Sequence, residues 1–213
     1  MNQLKHSTAR QKWLECGYEL FAQDGAEGLQ VERLARILRL NKSGFYHYFT
    51  DPEIFLITLF NHHLEQARQM ALHIQECKLL DPDYFKVVVK FKLFVLVQGK
   101  LISRSNNVLY YELFKEAREM TNTELLPLWR RTFFLPDNQE VVLSHLSLFD
   151  NAFHAQANIN NITYEFLHQM NMDNMNMMRE VFEYQYVRRR LVPAENEKID
   201  DDCLATIKEL TLA

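Results

Sequence analysis

Glycine is scarce in this sequence, with only five residues among 213. After Gly44 the chain contains one further glycine, Gly99. Tight β-hairpins need residues with positive φ, which glycine adopts most easily, so a sheet beyond residue 44 is improbable. The scarcity favours an all-α fold.

The sequence also lacks the spacings that metal and disulfide sites need. Its three cysteines, Cys16, Cys77 and Cys203, are far apart, and no C-x-x-C or H-E-x-x-H pattern occurs. The adjacent His62 and His63 would face different sides of a helix. We therefore expect no metal and no cofactor.

Long hydrophobic runs are missing as well. The longest, residues 91–97, is far below the roughly 20 residues that span a bilayer. The first residues lack the apolar core of a signal peptide. We expect a cytoplasmic protein that does not associate with a membrane.

Hydrophobic periodicity and helix start signals predict a chain of helices. Asp51-Pro52 and Asp81-Pro82 each place an N-cap residue before a proline at the first helical position. Pro127 should kink or break a helix. The predicted helices cover residues 7–24, 31–38, 42–48, 51–80, 82–103, 106–120, 122–134, 137–158 and 162–192, with a short one at 202–210.

Charge is distributed unevenly along a chain whose net charge is −4. Residues 1–50 carry seven lysines and arginines against five acidic residues, which gives +2 there and −6 in the remainder. The asymmetry is modest, and it places any surface that binds phosphates in the first quarter of the chain.

Residues 29–49 have the pattern of a helix-turn-helix. Two short helices that cross steeply need apolar inner faces and a small residue at the crossing. Ala35 is that small residue, and Asn41 can cap the second helix through its side-chain oxygen. The apolar set is Val31, Leu34, Leu38, Leu40, Phe45 and Phe49.

The second helix begins with short polar residues, which lets its backbone approach bases in a major groove. Lys42 can bind guanine acceptors or a phosphate, and Ser43 can bind either. The positive end of the helix dipole adds to the attraction. The predicted DNA-binding residues are Gln30, Arg39, Lys42, Ser43, Gly44, Tyr46 and His47.

The segment from Leu20 to Glu53 resembles the TetR (tetracycline repressor) family of transcriptional regulators. The matching residues are Leu20, Phe21, Gly25, Val31, Leu34, Ala35, Leu40, Lys42, Gly44, Phe45, Tyr46, His47, Phe49 and Glu53. Two positions depart from the family pattern. Arg39 replaces its turn glycine, and Pro52 replaces a lysine that usually contacts phosphate.

The resemblance implies a ligand-responsive repressor with an N-terminal three-helix DNA-binding domain, residues 1–50. A larger helical domain, residues 51–213, would bind a ligand and form a homodimer. We expect a small apolar or aromatic ligand, because the later helices supply much aromatic surface. The predicted pocket residues are Phe91, Phe94, Tyr110, Tyr111, Phe114, Trp129, His145 and Phe149.

The last two long helices carry more apolar surface than one face of a small domain covers, which indicates a two-fold dimer. The predicted interface residues are Val142, Leu146, Phe149, Phe153, Met178 and Phe182.

Two alternatives remain open. The chain could be a helical enzyme or interaction protein with a corner that merely resembles a helix-turn-helix, although Ser144, His145 and Asp150 lack the setting of a catalytic triad and we expect no enzyme. It could also be a sensor of the same fold with weakened DNA binding, which Arg39 and Pro52 would favour.

Overall fold

The computed structural model describes residues 8–191, except for the side chains of residues 181, 182 and 184–191. Within that range the chain is helical and has no β-strand, which confirms the all-α class. The helices are α1 (Ala9–Asp24), α2 (Val31–Leu38), α3 (Lys42–Phe49), α4 (Pro52–Gln75), α5 (Phe85–Lys90), α6 (Lys92–Ile102), α7 (Val108–Thr132), α8 (Gln139–Gln156) and α9 (Tyr164–Leu191). The helix predicted at 202–210 lies outside the described residues.

A short 3₁₀ helix at Gly25–Gly28 links α1 to α2, and a π-helical turn at Leu80–Tyr84 precedes α5. None of the described helices is both long enough and apolar enough to cross a membrane.

The start of α4 confirms one predicted signal. Asp51 has an extended backbone, and its carboxylate accepts a hydrogen bond of 2.8 Å from the Ile54 N–H. Pro52 occupies the first helical position, where a missing N–H does no harm.

The second Asp-Pro pair behaves differently from its prediction. Asp81 does not cap a helix, because its carboxylate accepts a hydrogen bond from Tyr164 Oη at 2.6 Å and contacts His168 Nδ1 at 2.5 Å. Asp83 instead accepts the N–H groups of Lys78 and Leu79. These partners are distant in sequence or precede the proline, so the local motif did not reveal them.

Other helix boundaries also differ. The predicted helix at 82–103 is interrupted at Phe91, whose ψ of 26° leaves the helical range. Conversely, the predicted helices at 106–120 and 122–134 are one continuous helix, α7. Thr121, which lies between the two predicted helices, is helical and buried, and its hydroxyl donates to the Arg118 carbonyl at 3.1 Å. Pro127 lies within α7, so of the predicted kink or break the break does not occur.

Helix α1 is packed against α2, α3, α4 and α6. Trp13 of α1 is fully buried with its ring centroid 5.5 Å from that of Phe45 in α3. Gly17 allows α1 to approach α4 closely, since a Cβ there would lie 2.4 Å from Phe55 Cζ. The most extensive helix–helix contact joins α4 to α7.

A buried chain of hydrogen bonds crosses these helices. Tyr18 Oη of α1 lies 2.8 Å from His63 Nδ1 of α4, and His63 Nε2 lies 3.3 Å from Gln98 Oε1 of α6. Gln98 in turn donates to the Phe114 carbonyl of α7. Both His63 contacts are satisfied by one neutral tautomer, which accepts from the tyrosine and donates to the glutamine.

By contacts, the chain up to Met172 forms one compact unit, and Asp173 begins a second. The predicted division at residue 50 between a DNA-binding domain and a ligand domain stays a prediction.

Candidate DNA-binding interface

The turn between α2 and α3 is built around a left-handed residue. Arg39 has φ 54° and ψ 41°, the conformation for which glycine is best suited. This geometry lets the Leu40 N–H bond the Ala35 carbonyl at 3.0 Å and close the end of α2. Ala35 is buried, as expected of the crossing residue.

One member of the predicted apolar set is placed differently. Leu40 is 37% exposed, because it stands in the turn rather than on either inner helix face. Its inclusion in the helix-turn-helix core was therefore wrong.

Two phenylalanines fix the orientation of α3. Phe45 and Phe49 are buried and pack against Phe55 with ring centroids 5.1 and 4.8 Å away. Because they occupy one face of the helix, the opposite face is turned to solvent. Ser43 and His47 are exposed on that opposite face, and Tyr46 is exposed on the flank of the helix. Lys42 is exposed in the first turn, although it lies on the same side of α3 as the two phenylalanines.

The first turn of α3 offers an open surface. A Cβ added at Gly44 would have no described atom within 4 Å. Asn41 occupies the N-cap position with an extended backbone, but its side chain makes no capping hydrogen bond. The prediction of side-chain capping was wrong, since the turn is closed instead by the Gly44 N–H donating to the Asn41 carbonyl at 3.0 Å.

The exposed Gln30 has an extended backbone at the N-cap of α2. Together with Arg39, Lys42, Ser43, Gly44, Tyr46 and His47, it belongs to the two short helices and their boundaries. All seven predicted DNA-binding residues thus fall on the helix-turn-helix.

An ion pair joins the two helices of the motif. Lys42 Nζ of α3 lies 2.8 Å from Glu32 Oε1 of α2, and both side chains are more than half exposed. The hydrogen bond from Lys42 lowers the pKa of the Glu32 carboxyl, and the same bond raises the pKa of Lys42. Sequence reasoning missed Glu32, because a contact across ten residues has no local periodicity. Only its position in the first turn of α2 could have pointed to it.

The predicted ligand residues occupy several separate places. Phe91 and Phe94 border a cavity of about 210 Å³ with Tyr18 and His62. Tyr111 and Phe114 border an open groove of about 740 Å³ between α7 and α8. Tyr110 is buried against Phe21 and Phe60.

The remaining three ligand candidates pack on one another. Trp129 is fully buried, and its indole N–H donates to His145 Nδ1 at 2.9 Å. The Trp129 and Phe149 ring centroids are 5.0 Å apart. Trp129 therefore belongs to the core, and the half-buried His145 and Phe149 pack against it.

The predicted dimer residues divide in a similar way. Val142, Leu146 and Phe153 are buried within this chain, which corrects their assignment to a surface between copies. Helical phase is the reason, because α8 turns these residues toward its own core and Val141 and Leu148 outward. Phe149 and Met178 are partly exposed, and the side chain of Phe182 lies outside the described residues, so their place in a dimer interface stays a prediction.

Residues 14–53 match the family of bacterial regulatory proteins described as the tetR family. A comparison with curated protein sequences found no match.

Three solved structures are similar to this chain. The TetR family transcriptional regulator PfmR from Thermus thermophilus is 18% identical, with 78% of this chain and 94% of that chain covered and a TM-score of 0.47. A TetR-family regulator from Rhodococcus sp. is 15% identical, with 76% and 96% covered and a TM-score of 0.40. One from Mesorhizobium loti is 11% identical, with 81% and 95% covered and a TM-score of 0.45.

The matched segment begins within α1 and ends at the second residue of α4, and so encloses the whole helix-turn-helix. The assignment rests on this segment and on its geometry. Residues 14–53 are therefore similar to the bacterial regulatory proteins of the tetR family, and the similarity covers the helix-turn-helix.

Proposed function

We propose that the protein is a ligand-responsive transcriptional repressor that binds operator DNA as a homodimer. The exposed first turn of α3 carries this proposal. Lys42 and Ser43 are exposed there, and the space above Gly44 is open.

Each subunit would place the N-terminal turn of α3 in a major groove. Lys42 would bind guanine acceptors or a phosphate, and Ser43 would bind a base edge or a phosphate. Tyr46 and His47 would contact flanking phosphates. The absence of a side chain at Gly44 would let the helix backbone come close to the base edges.

A homodimer would present two such helices to a palindromic operator. Its half-sites should be about one helical turn apart, or slightly more. On α8, Val141 and Leu148 are 41% and 69% exposed and seven residues apart, which places them on one face. We propose this outward face of α8 as part of the interface.

The part of the proposal that concerns a ligand depends on the cavities among the later helices. The resemblance implies a ligand response, and cavities of about 740 and 440 Å³ border the helices after Leu80. Both volumes fall in the range of small-molecule sites, roughly 300–1,000 Å³.

Selection from random double-stranded DNA tests operator binding. The selected site should be palindromic, and its affinity should fall steeply with salt because phosphate contacts release counterions. Lys42→Ala should weaken binding roughly 5- to 150-fold if Lys42 contacts a base. Lys86→Ala, which changes an exposed lysine of α5, should leave the affinity unchanged.

Repression and dimerisation need their own measurements. The selected operator placed over a promoter should lower reporter expression when the protein is present. Leu148→Glu should give monomers in sedimentation and abolish tight operator binding, whereas Glu140→Gln on the same helix should not. A folded wild-type dimer that enriches no DNA sequence would refute the proposal.

One observation supports a second candidate function, a sensor or interaction protein with weakened DNA binding. Lys42 is already paired with Glu32, and that carboxylate would repel nearby phosphates. Under this candidate, Lys42→Ala and Tyr46→Ala would have no measurable effect on DNA affinity.

A further inference from the structure

A cavity of about 440 Å³ lies where the end of α1 meets α6 and the end of α8. Its volume lies within the usual range for small-molecule sites. The residues that border it include Ala22, Gln23, Leu96, Gly99, Lys100 and His154.

The described lining has a single formal charge. Lys100 provides one ammonium group, and none of the described aspartates or glutamates borders the cavity. Among the described residues Lys100 forms no ion pair, whereas the neighbouring Arg104 is paired with Glu27. A lone cation inside a partly enclosed cavity favours a ligand with one negative charge.

Histidine does not add a second cation. Burial, followed by the charge of Arg118, lowers the pKa of His154 to about 4, so this imidazole is neutral near pH 7. Its ring packs closely against α6 at Gly99, where a Cβ would lie 2.7 Å from His154 Nδ1. The imidazole therefore lines one side of the cavity and carries a polar nitrogen.

The other side chains define what the rest of the ligand can be. Ala22 and Leu96 are buried and apolar, and Ile159 is half-buried. Gln23 and Asn158 add amides that can donate hydrogen bonds to an anion. This combination suits a carboxylate group attached to a short aliphatic or single-ring body.

Two other cavities fit such a ligand less well. The groove between α7 and α8 is larger but open, and it carries Glu119 and Asp137 beside its cations. The cavity next to Phe91, about 210 Å³, is small and includes Glu15 and Glu19. Carboxylates in both linings would repel an anion.

The position of the cavity connects it to DNA binding. Ala22 and Gln23 belong to the segment that matches the TetR family, and the opposite walls belong to α6 and to the end of α8. If α1 shifts relative to α6, a ligand that contacts both helices binds the two arrangements with different affinities. This difference couples binding of the ligand to binding of DNA.

We propose that this cavity binds a small organic carboxylate through Lys100, and that its occupancy changes the affinity of the α3 helices for operator DNA. The second clause rests on the proposed function. The first can be tested without DNA.

Benzoate and hexanoate serve as probes, with benzamide and hexanamide as uncharged counterparts. Titrations of the full chain followed by calorimetry and by amide resonances should show that the carboxylates bind. The shifted resonances should include those of Gln23, Gly99 and Asn158. The amides should bind at least about tenfold more weakly, because they lack the charge-assisted contact.

Lys100→Gln should weaken carboxylate binding by a similar factor. Lys92→Gln changes another lysine of α6 that does not border the cavity, and it should leave binding unchanged. If neither carboxylate binds, if the amides bind equally well, or if Lys100→Gln binds like the wild type, the cavity assignment is wrong.

The coupling is measured separately, with operator affinity determined at saturating benzoate and without it. We expect a change of about threefold or more, absent in Lys100→Gln, and an equal change in benzoate affinity when the operator is bound. A bound carboxylate with no effect on operator affinity would overturn the coupling but not the site. A protein that binds benzoate but no DNA would overturn the proposed function instead.

Discussion

The left-handed Arg39 allows backbone strain and DNA contact to be separated by substitution. Its φ of 54° and ψ of 41° crowd the Cβ against the backbone, which costs an L-residue roughly 1–2 kcal/mol. Glycine escapes that crowding but has more freedom in the unfolded chain, which offsets part of the gain. We therefore expect Arg39→Gly to raise the free energy of unfolding by about 1 kcal/mol and Tm by roughly 2–4 °C.

Arg39→Ala is the matched control, because it removes the guanidinium and keeps the crowded Cβ. Urea unfolding should rank Arg39→Gly above both the wild type and Arg39→Ala in midpoint, with unchanged m-values. If Arg39 contacts a phosphate, both variants should lose operator affinity equally. Their salt slopes should also fall by about 0.9 for each contact removed.

If Arg39→Gly unfolds at the same urea concentration as Arg39→Ala, or at a lower one, then the Cβ at residue 39 does not strain the left-handed backbone. If the two variants differ in operator affinity, the loss cannot be assigned to the guanidinium alone.

Three further predictions concern α2, α3 and α4. Gly44→Ala should stabilise the fold by up to about 1 kcal/mol, because alanine is a better helix former than glycine and its methyl group would meet no described atom within 4 Å. The same change should weaken operator binding. Denaturation measures the first effect and fluorescence anisotropy the second. Glu32→Gln should strengthen operator binding at low salt, because it releases Lys42 and removes a carboxylate that repels phosphates, and the gain should be smaller in a Lys42→Gln background. His63 has a pKa of about 3 in the folded protein because burial disfavours its charged form, so the unfolded chain binds a proton first as pH falls from about 6.5. The wild type should therefore lose up to roughly 1.4 kcal/mol of stability per pH unit below that value. Urea unfolding at pH 7 and at pH 5 should show that His63→Gln loses less stability between these two values than the wild type does. His47→Gln should lose as much stability as the wild type.

Each of these predictions has a contrary result. Unchanged operator affinity in Gly44→Ala would mean that the α3 backbone does not approach the bases closely. A loss of affinity or specificity in Glu32→Gln would indicate that Glu32 itself contacts a base. A steeper pH dependence in His63→Gln would show that the neutral imidazole is not the source of the acid sensitivity.

The helix-turn-helix could be predicted from sequence because its determinants are local. The bounds of α2 match the prediction, and α3 extends one residue beyond it. Phe45 and Phe49 are separated by one helical turn and are both buried, as their spacing indicates.

Determinants that depend on distant partners could not be predicted. Asp81 looks like an N-cap in sequence, but Tyr164 and His168 engage its carboxylate in the folded chain. Thr121 gives no local sign that α7 continues through it, yet its side chain is buried in the folded chain. In both cases tertiary contacts overrode the local signal.

Several of the predicted ligand and dimer residues are instead buried within the chain for a related reason. Apolar and aromatic composition shows that a helix has surface to bury but not which neighbour will bury it. The rings of Trp129 and Phe149 pack against each other, and Val142 and Leu146 are buried within their own chain. The cavity beside Lys100 depends on Gly99 and His154, which meet only because α6 and α8 pack together.

The buried chain from Tyr18 through His63 to Gln98 bears on how the DNA-binding helices can move. Both polar partners of the imidazole lie on other helices, α1 and α6. Sliding α1 away from α4 would leave the Tyr18 hydroxyl or the His63 nitrogen buried without a partner, which costs about 1–3 kcal/mol for each group. The Phe94 ring of α6 stacks on the His63 imidazole, with the ring centroids 4.7 Å apart, and this contact also helps to hold the imidazole in place. Helix α1 is therefore held directly to α4 at this level, whereas its link to α6 passes through the longer contact between His63 and Gln98. A signal from the later helices reaches α3 more readily through a joint movement of α1 and α4 than through separation of the two.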